Sequence, residues 1–213
     1  MKKPFDLSLY LVLDPDLCQR HSMADTAREA VAGGATMVQV RHKQASTAER
    51  IALARSVKEA LHGTPALVVM NDDIEAAVEA RVDAIHIGQR DLSPILARER
   101  IGADMLLGLS VNSERAARAV DPGVVDYVGI GPVFATPTKP DHEQPIGLDG
   151  LARIVAACPL PSVAIGGLKR QHVEDVLAAG AYGLAVVSAI CGTPDPRRSA
   201  KELWERIIAG RPD

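Results

Sequence analysis

Cysteine is scarce in this chain of 213 residues, and the three that occur, Cys18, Cys158 and Cys191, lie far apart. An odd, widely spaced set fits neither a disulfide framework nor a zinc knuckle. It predicts reduced, buried thiols and a cytoplasmic setting. Positive charge is not in excess either: 24 Lys and Arg stand against 27 Asp and Glu, a formal charge of −3. That balance argues against a general nucleic-acid binder, whose footprint is usually basic. Any cation that matters must act locally. No apolar stretch reaches membrane-spanning length. Met1-Lys-Lys followed by Leu7-Ser-Leu-Tyr-Leu-Val-Leu13 has the outline of a signal peptide. But Pro4 and Asp6 interrupt the approach, Asp14-Pro-Asp16 ends the run, and no small-residue cleavage site follows. A buried first strand is the better expectation.

What is present is alternation. Short apolar runs predict strands over Leu9–Leu13, Met37–Arg41, Ala66–Met70, Ala84–Ile87, Leu106–Leu109, Tyr127–Ile130, Ser162–Ile165 and Gly183–Val187. They are apolar almost throughout, as parallel strands covered by helices are. Helices fill the gaps. Ser46-Thr-Ala-Glu49 reads as a capping box, Ser93-Pro94 as a cap followed by a first-turn proline, and Gly33-Gly34, Gly63 and Gly180 as stops. A last helix over about 196–208 turns Leu203, Trp204, Ile207 and Ile208 inward. Eight such units, with 47% hydrophobic residues and no second compositional zone, predict an α/β fold, a (β/α)8 barrel in one domain over 1–213. A doubly wound sheet is the alternative. It would usually carry a glycine fingerprint after its first strand, where this chain has Asp-Pro-Asp.

In a barrel, chemistry sits in the loops after the strands, which converge on one face. After the second strand come Gln39, Arg41, His42 and Lys43, and alternation puts Gln39, Arg41 and Lys43 on one side. Asn71-Asp72-Asp73 follows the third, Gly88-Gln-Arg-Asp91 the fourth and Ser110 the fifth. Gly131-Pro-Val-Phe-Ala-Thr-Pro-Thr-Lys139 follows the sixth, Gly166-Gly167 the seventh and Val187-Ser188 the eighth. The loops after the last two strands are where barrels usually hold a phosphate monoester. Arg41, Lys43 and Lys139 share the rim with Asp72 and Asp91. Cations and carboxylates around one pocket suit a Mg²⁺ ion bridging them to a polyphosphate. Each element also has a plain structural reading. Asp72, Asp73 and Asp91 read equally as helix caps, Arg41 and Lys43 as a solvated strand end, and Gly166-Gly167 as a tight turn. His86 reads as a hydrogen-bonded core histidine, and His42, His142 and His172 as surface residues.

Taken together, Gln39-Val-Arg-His-Lys43, Asn71-Asp72, Asp83-Ala-Ile-His-Ile-Gly-Gln-Arg-Asp91, Ser110, Gly131 to Lys139, Ala164-Ile-Gly-Gly167 and Val187-Ser-Ala-Ile190 resemble the thiamine-phosphate synthase family over nearly the whole chain. The glycine pair alone is unspecific. The threonine–lysine loop with the Gln-x-Arg-x-Lys segment is specific. The resemblance implies a transferase that joins 4-amino-5-hydroxymethyl-2-methylpyrimidine diphosphate to a thiazole monophosphate, giving thiamine phosphate and pyrophosphate. It implies Mg²⁺ on Asp72 and Asp91. It places the pyrimidine diphosphate at the segment Gln39 to Lys43 (Val40 and His42 included), Asn71, Ser110 and Lys139, with Arg41, Lys43, Ser110 and Lys139 serving catalysis. It places the thiazole phosphate at Thr136, Pro137, Thr138, Gly166, Gly167, Val187 and Ser188. The implied reaction is a dissociative substitution in which pyrophosphate leaves first and the thiazole nitrogen then attacks. It needs no general base, and the chain offers no Ser-His-Asp set.

His42 departs from the family, where many members have an acidic residue; alternation points it away from Arg41 and Lys43. The segment 140–145 reads as a flap or as a plain exposed loop. Three other readings remain, one of them an unrelated phosphate-binding isomerase of the same fold, which would carry a carboxylate general base near a single phosphate site. A thiazole tautomerase of the same barrel family would need a proton shuttle and no diphosphate-binding metal. A barrel that binds thiamine phosphate without turnover would show no reaction. No nucleic-acid or membrane partner is expected, and the sequence leaves self-association into a homo-oligomer open.

Overall fold

The eight apolar runs become eight parallel strands: β1 (Leu9–Leu13), β2 (Met37–Val40), β3 (Leu67–Asn71), β4 (Ala84–Ile87), β5 (Leu106–Val111), β6 (Tyr127–Ile130), β7 (Ser162–Ile165) and β8 (Gly183–Val186). A computed structural model describes residues 2–136 and 144–211. Each strand pairs with the next, and β1 also pairs with β8, so the sheet closes into a barrel. The helices are α1 (Met23–Ala32), α2 (Thr47–Ala60), α3 (Ile74–Ala80), α4 (Pro94–Ile101), α5 (Glu114–Arg118), α6 (Gly147–Ala157), α7 (Val173–Ala178) and α8 (Pro196–Ala209). The expected α/β class and (β/α)8 architecture are therefore present.

Strand alternation divides the core in two. Leu9, Leu11, Val38, Val40, Val68, Met70, Ile85 and Ile87 point outward into a large cluster shared with the helices. Tyr10, Val12, Met37, Leu67, Val69, Ala84, Leu106, Tyr127, Val163 and Ala185 point into the barrel. The inner set stops short of the carboxyl ends of the strands. There the same inward register presents Gln39, Asn71, His86 and Ser110 instead.

The helix signals act as expected. Ser46 Oγ accepts from the Glu49 N–H at 3.3 Å while the Glu49 carboxylate accepts from the Ser46 N–H at 2.7 Å, a complete capping box. Ser93 caps α4 ahead of Pro94, and Gly33 ends α1. One expectation needs correction. On α8, Ala200, Leu203 and Ile207 form the buried stripe at i, i+3 and i+7, and Trp204 packs beside it. Ile208 lies about 100° further round the helix and is 44% exposed. The cysteines are free; Cys18 and Cys191 are buried, but Cys158 at the end of α6 is only half-buried. No helix among the described residues is long and apolar enough to cross a membrane.

Candidate active site

A cavity of about 310 Å³ opens at the carboxyl ends of the strands. It gathers most of the expected site: Gln39, Arg41, Lys43, Asn71, Asp72, Asp91, Ser110, Thr136, Gly166, Gly167, Val187 and Ser188 all line it. Among the described residues, two expected ones do not. Val40 is buried among the apolar residues facing the helices, because it occupies the outward register of β2. Any contact it makes with a ligand must come from its backbone. His42 turns to an adjoining surface depression that shares Lys43, Asn71 and Asp72 with the cavity and is otherwise lined by Thr47, Arg50 and Asp73. It is half-buried rather than a surface residue, as is His172, which packs on Phe134 with ring centroids 4.6 Å apart. Pro137, Thr138, Lys139, His142 and most of the segment 140–145 lie outside the described residues.

The cation side of the cavity is built from β1 and β2. The register Leu13↔Val40 sets the next residues, Asp14 and Arg41, beside each other. Asp14 Oδ2 accepts from Arg41 Nη1 at 3.0 Å, with side-chain exposures of 9% and 16%. Asp14 reads in sequence only as the end of a strand. Its role as an anchor for Arg41 depends on a pairing register that linear spacing does not display.

The acidic side separates residues that sequence alone leaves equivalent. Asp73 is a cap: its carboxylate accepts from the Ala76 N–H at the start of α3 and pairs with Arg50 at 2.9 Å. Asp72 is not. Its backbone is left-handed, with φ 61°, and its N–H bonds the carbonyl of His86 at 2.9 Å. That conformation is uncommon outside glycine, though aspartate tolerates it better than most. Here it turns the carboxyl toward the cavity instead of along β3. Asp91 does not cap α4, which Ser93 does; its carboxylate accepts from the Gly88 N–H at 2.7 Å. Burial and the facing Asp91 raise the Asp72 carboxyl to about 6, against an Asn71 amide donor that holds it at 2.6 Å. Two acidic groups pressed together in this way are disfavoured when both ionise, and a divalent cation relieves the repulsion. No group of three or more His, Cys, Asp or Glu with metal-binding spacing occurs among the described residues. A pair of carboxylates is the set that Mg²⁺ takes when substrate oxygens and water complete its shell, so the residues fit that ion.

The opposite side is built from loops. After β6 the chain crosses the end of β7: the Val133 N–H bonds the Ile165 carbonyl at 2.9 Å, and the Phe134 N–H bonds the Gly166 carbonyl at 3.0 Å. Gly166 and Gly167 both have positive φ, 105° and 64°. A Cβ at Gly166 would lie 2.6 Å from Pro132 Cα, and one at Gly167 would lie 2.7 Å from the Ala135 carbonyl oxygen. These glycines therefore do more than turn the chain; they let the loop after β6 lie flat on the loop after β7. After β8 the carbonyl of Val187 accepts from the N–H groups of Ile190 and Cys191, starting a helical turn at Ser188. Lys169 Nζ donates to Ser188 Oγ at 3.0 Å and brings a cation to this rim. Lys169 is a residue that the sequence reading does not single out. A lysine two positions past a glycine pair that ends a strand is the signal that marks it.

A closed parallel barrel with cations, carboxylates and glycine loops converging on one carboxyl-end cavity defines a phosphate-handling (β/α)8 enzyme. Residues 9–190 match the thiamine monophosphate synthase family, and the chain belongs to it. Relatives named thiamine-phosphate synthase share its length. That of Psychrobacter sp. (strain PRwf-1) is 45% identical, covering 92% of this chain and 93% of the relative. That of Azorhizobium caulinodans is 43% identical over 99% of this chain and all of the relative. The solved thiamine phosphate pyrophosphorylase from Pyrococcus furiosus superposes with a TM-score of 0.86 at 32% identity, covering 96% of each chain.

Proposed function

We propose that this protein couples 4-amino-5-hydroxymethyl-2-methylpyrimidine diphosphate with 4-methyl-5-(2-phosphooxyethyl)thiazole, releasing thiamine phosphate and pyrophosphate. One observation carries the reading: a single cavity has cations and a carboxylate pair on one wall and glycine-rich loops with Ser188 on the other. That is the layout two phosphorylated substrates need if their heterocycles are to meet between the walls.

The chemistry is a substitution at the pyrimidine methylene. The carbon–oxygen bond to pyrophosphate breaks, and the electron pair leaves with oxygen. The thiazole nitrogen then supplies its lone pair to the same carbon. No proton leaves the nucleophile, so the residues need only stabilise charge and position the rings. Arg41 and Lys43 meet the charge that grows on the departing pyrophosphate, and the same role is assigned to Lys139 on the strength of its sequence motif. Asp72 and Asp91 would hold Mg²⁺, which when bound adds positive charge at the leaving group. Gln39, Asn71 and Ser110 hold the pyrimidine. Thr136, Pro137 and Thr138 with Gly166, Gly167, Val187 and Ser188 hold the thiazole phosphate, so that its nitrogen waits close to the short-lived cation.

Lys43, Asp72 and Asp91 line the cavity, a cation-and-carboxylate set that a tautomerase, whose substrate carries no diphosphate, would not need. The test is pyrophosphate release by the purified protein with each substrate alone and with both. Release that requires both substrates is the expected result. Binding of thiamine phosphate without release would leave a non-catalytic barrel; neither would remove the pyrimidine substrate from the reading. Lys139→Ala is expected to lower turnover at least about tenfold, since it removes one charge from the leaving-group site. Turnover close to that of the parent would take that role from Lys139.

A further inference from the structure

The floor of the cavity links Gln39 and Ser110 through three polar side chains that the substitution chemistry does not use. Gln39 Nε2 donates to Tyr10 Oη at 2.8 Å, and Tyr10 Oη lies 3.0 Å from Tyr127 Oη. Tyr127 Oη lies 3.3 Å from His86 Nδ1, and His86 Nε2 lies 3.0 Å from Ser110 Oγ. Five side chains from five strands thus form one continuous chain across the barrel, with Gln39 and Ser110 at its two ends on the cavity wall. Two glycines make the slot for it. The register sets Gly108 between His86 and Tyr127. A Cβ there would lie 2.2 Å from Tyr127 Cζ and 2.5 Å from His86 Nδ1. A Cβ at Gly129 would lie 3.0 Å from His86 Cε1.

Buried polar groups are costly unless each is paired, and a fully paired chain fixes its own geometry. None of the hydrogen bonds that His86, Tyr10 and Tyr127 make in this chain goes to a charged group, so the neutral imidazole and phenols are the forms the chain accommodates. A neutral imidazole has one donor and one acceptor nitrogen, and each phenol has one proton to give. The protons are therefore not independent: fixing one end fixes all of them. With Gln39 donating, Tyr10 gives its proton to Tyr127, and Tyr127 gives its proton to His86 Nδ1. A phenol O–H facing an imidazole lone pair is also the better-matched acid and base. His86 then carries its proton on Nε2 and donates it to Ser110.

We propose that this chain is directional, and that it presents the Ser110 hydroxyl proton as a donor and the Gln39 Oε1 as an acceptor to the heterocycle above. Tyr10, Tyr127 and His86 are then positioning residues. The matching ligand edge carries a ring nitrogen that accepts and an exocyclic amino group that donates, as a 4-aminopyrimidine does. The identity of that ligand rests on the function proposed above; the direction of the chain does not.

The test is two-bond ¹H–¹⁵N correlation on the full-length protein labelled at histidine, without ligand, near pH 7. The expected result is a single Nε2–H tautomer for His86. Gln39→Glu puts an acceptor in place of the donor at the head of the chain and is expected to reverse it, moving the proton to Nδ1. Tyr127→Phe cuts the chain and should leave His86 in mixed tautomers. It should also raise the KM for the pyrimidine diphosphate about tenfold, the usual effect of one hydrogen bond, while the KM for the thiazole phosphate stays the same. An Nδ1–H tautomer in the parent overturns the proposal, as does a tautomer that ignores both substitutions. The expected tautomers in a protein that releases no pyrophosphate would sink the catalytic reading and leave the directional chain standing.

Discussion

Replacing Arg41 with alanine is expected to lower turnover by about 10²- to 10³-fold, the usual loss when one preorganised donor to a developing negative charge is removed. The geometry makes Arg41 such a donor. It follows Gln39 in the inward register of β2, and its side chain is only 16% exposed. Asp14 engages one guanidinium nitrogen at 3.0 Å. A guanidinium has five N–H donors in a rigid fork, so this anchor leaves others available to phosphate oxygens. The charge is thus oriented before substrate arrives. Arg41→Ala also strands the largely buried Asp14 carboxylate, so a lower melting temperature is expected as well. Two controls separate the effects. Arg41→Lys keeps the charge and the pairing but loses the fork, and should recover stability better than turnover. Asp14→Asn frees the guanidinium without discharging it, and should cost several-fold rather than hundreds-fold. Arg41→Ala within tenfold of the parent in turnover would take Arg41 out of the leaving-group site.

The contrast between Arg41 and Asp14 shows where linear reading works and where it stops. Arg41 is legible because alternation along one strand is a local property: Gln39, Arg41 and Lys43 reach the same cavity, while Val40 and His42 face away. The strands are legible for the same reason. Those over Leu9–Leu13, Ala84–Ile87, Tyr127–Ile130 and Ser162–Ile165 fall where the apolar runs place them, and the others shift by a residue or two at their ends. Asp14 is not local. It meets Arg41 only through the β1–β2 register. The floor of the cavity is less local still, since its hydrogen-bond chain spans β1, β2, β4, β5 and β6. His86 reads correctly as a hydrogen-bonded core histidine, but its partners come from other strands. Gly108 and Gly129 read only as ordinary strand residues, because their role is the space they leave. Asp72 and Asp73 are adjacent and chemically alike; a left-handed backbone at the first sends them to different tasks.

The same left-handed backbone lets metal binding be separated from folding. Removing divalent metal with a chelator is expected to cut pyrophosphate release at least about 10²-fold, since a bound metal ion typically stabilises developing charge by several kcal/mol. Added Mg²⁺ should restore it. Turnover that persists under chelation would leave the pyrophosphate to Arg41, Lys43 and Lys139 alone and remove the metal from the reaction. Asp91→Asn should move the Mg²⁺ titration to higher concentration with the fold intact; an unchanged titration would count against the site. Asp72 allows a stricter separation of folding from function. Its φ of 61° carries a steric cost of about 1–2 kcal/mol for a residue with a Cβ, which glycine avoids at some expense in chain entropy. Asp72→Gly also removes a carboxyl that burial and Asp91 hold up at about 6. The variant is therefore expected to melt no lower than the parent and yet to lose its response to Mg²⁺. A residue kept for capping or packing would show the reverse, a lower melting temperature with the metal response intact.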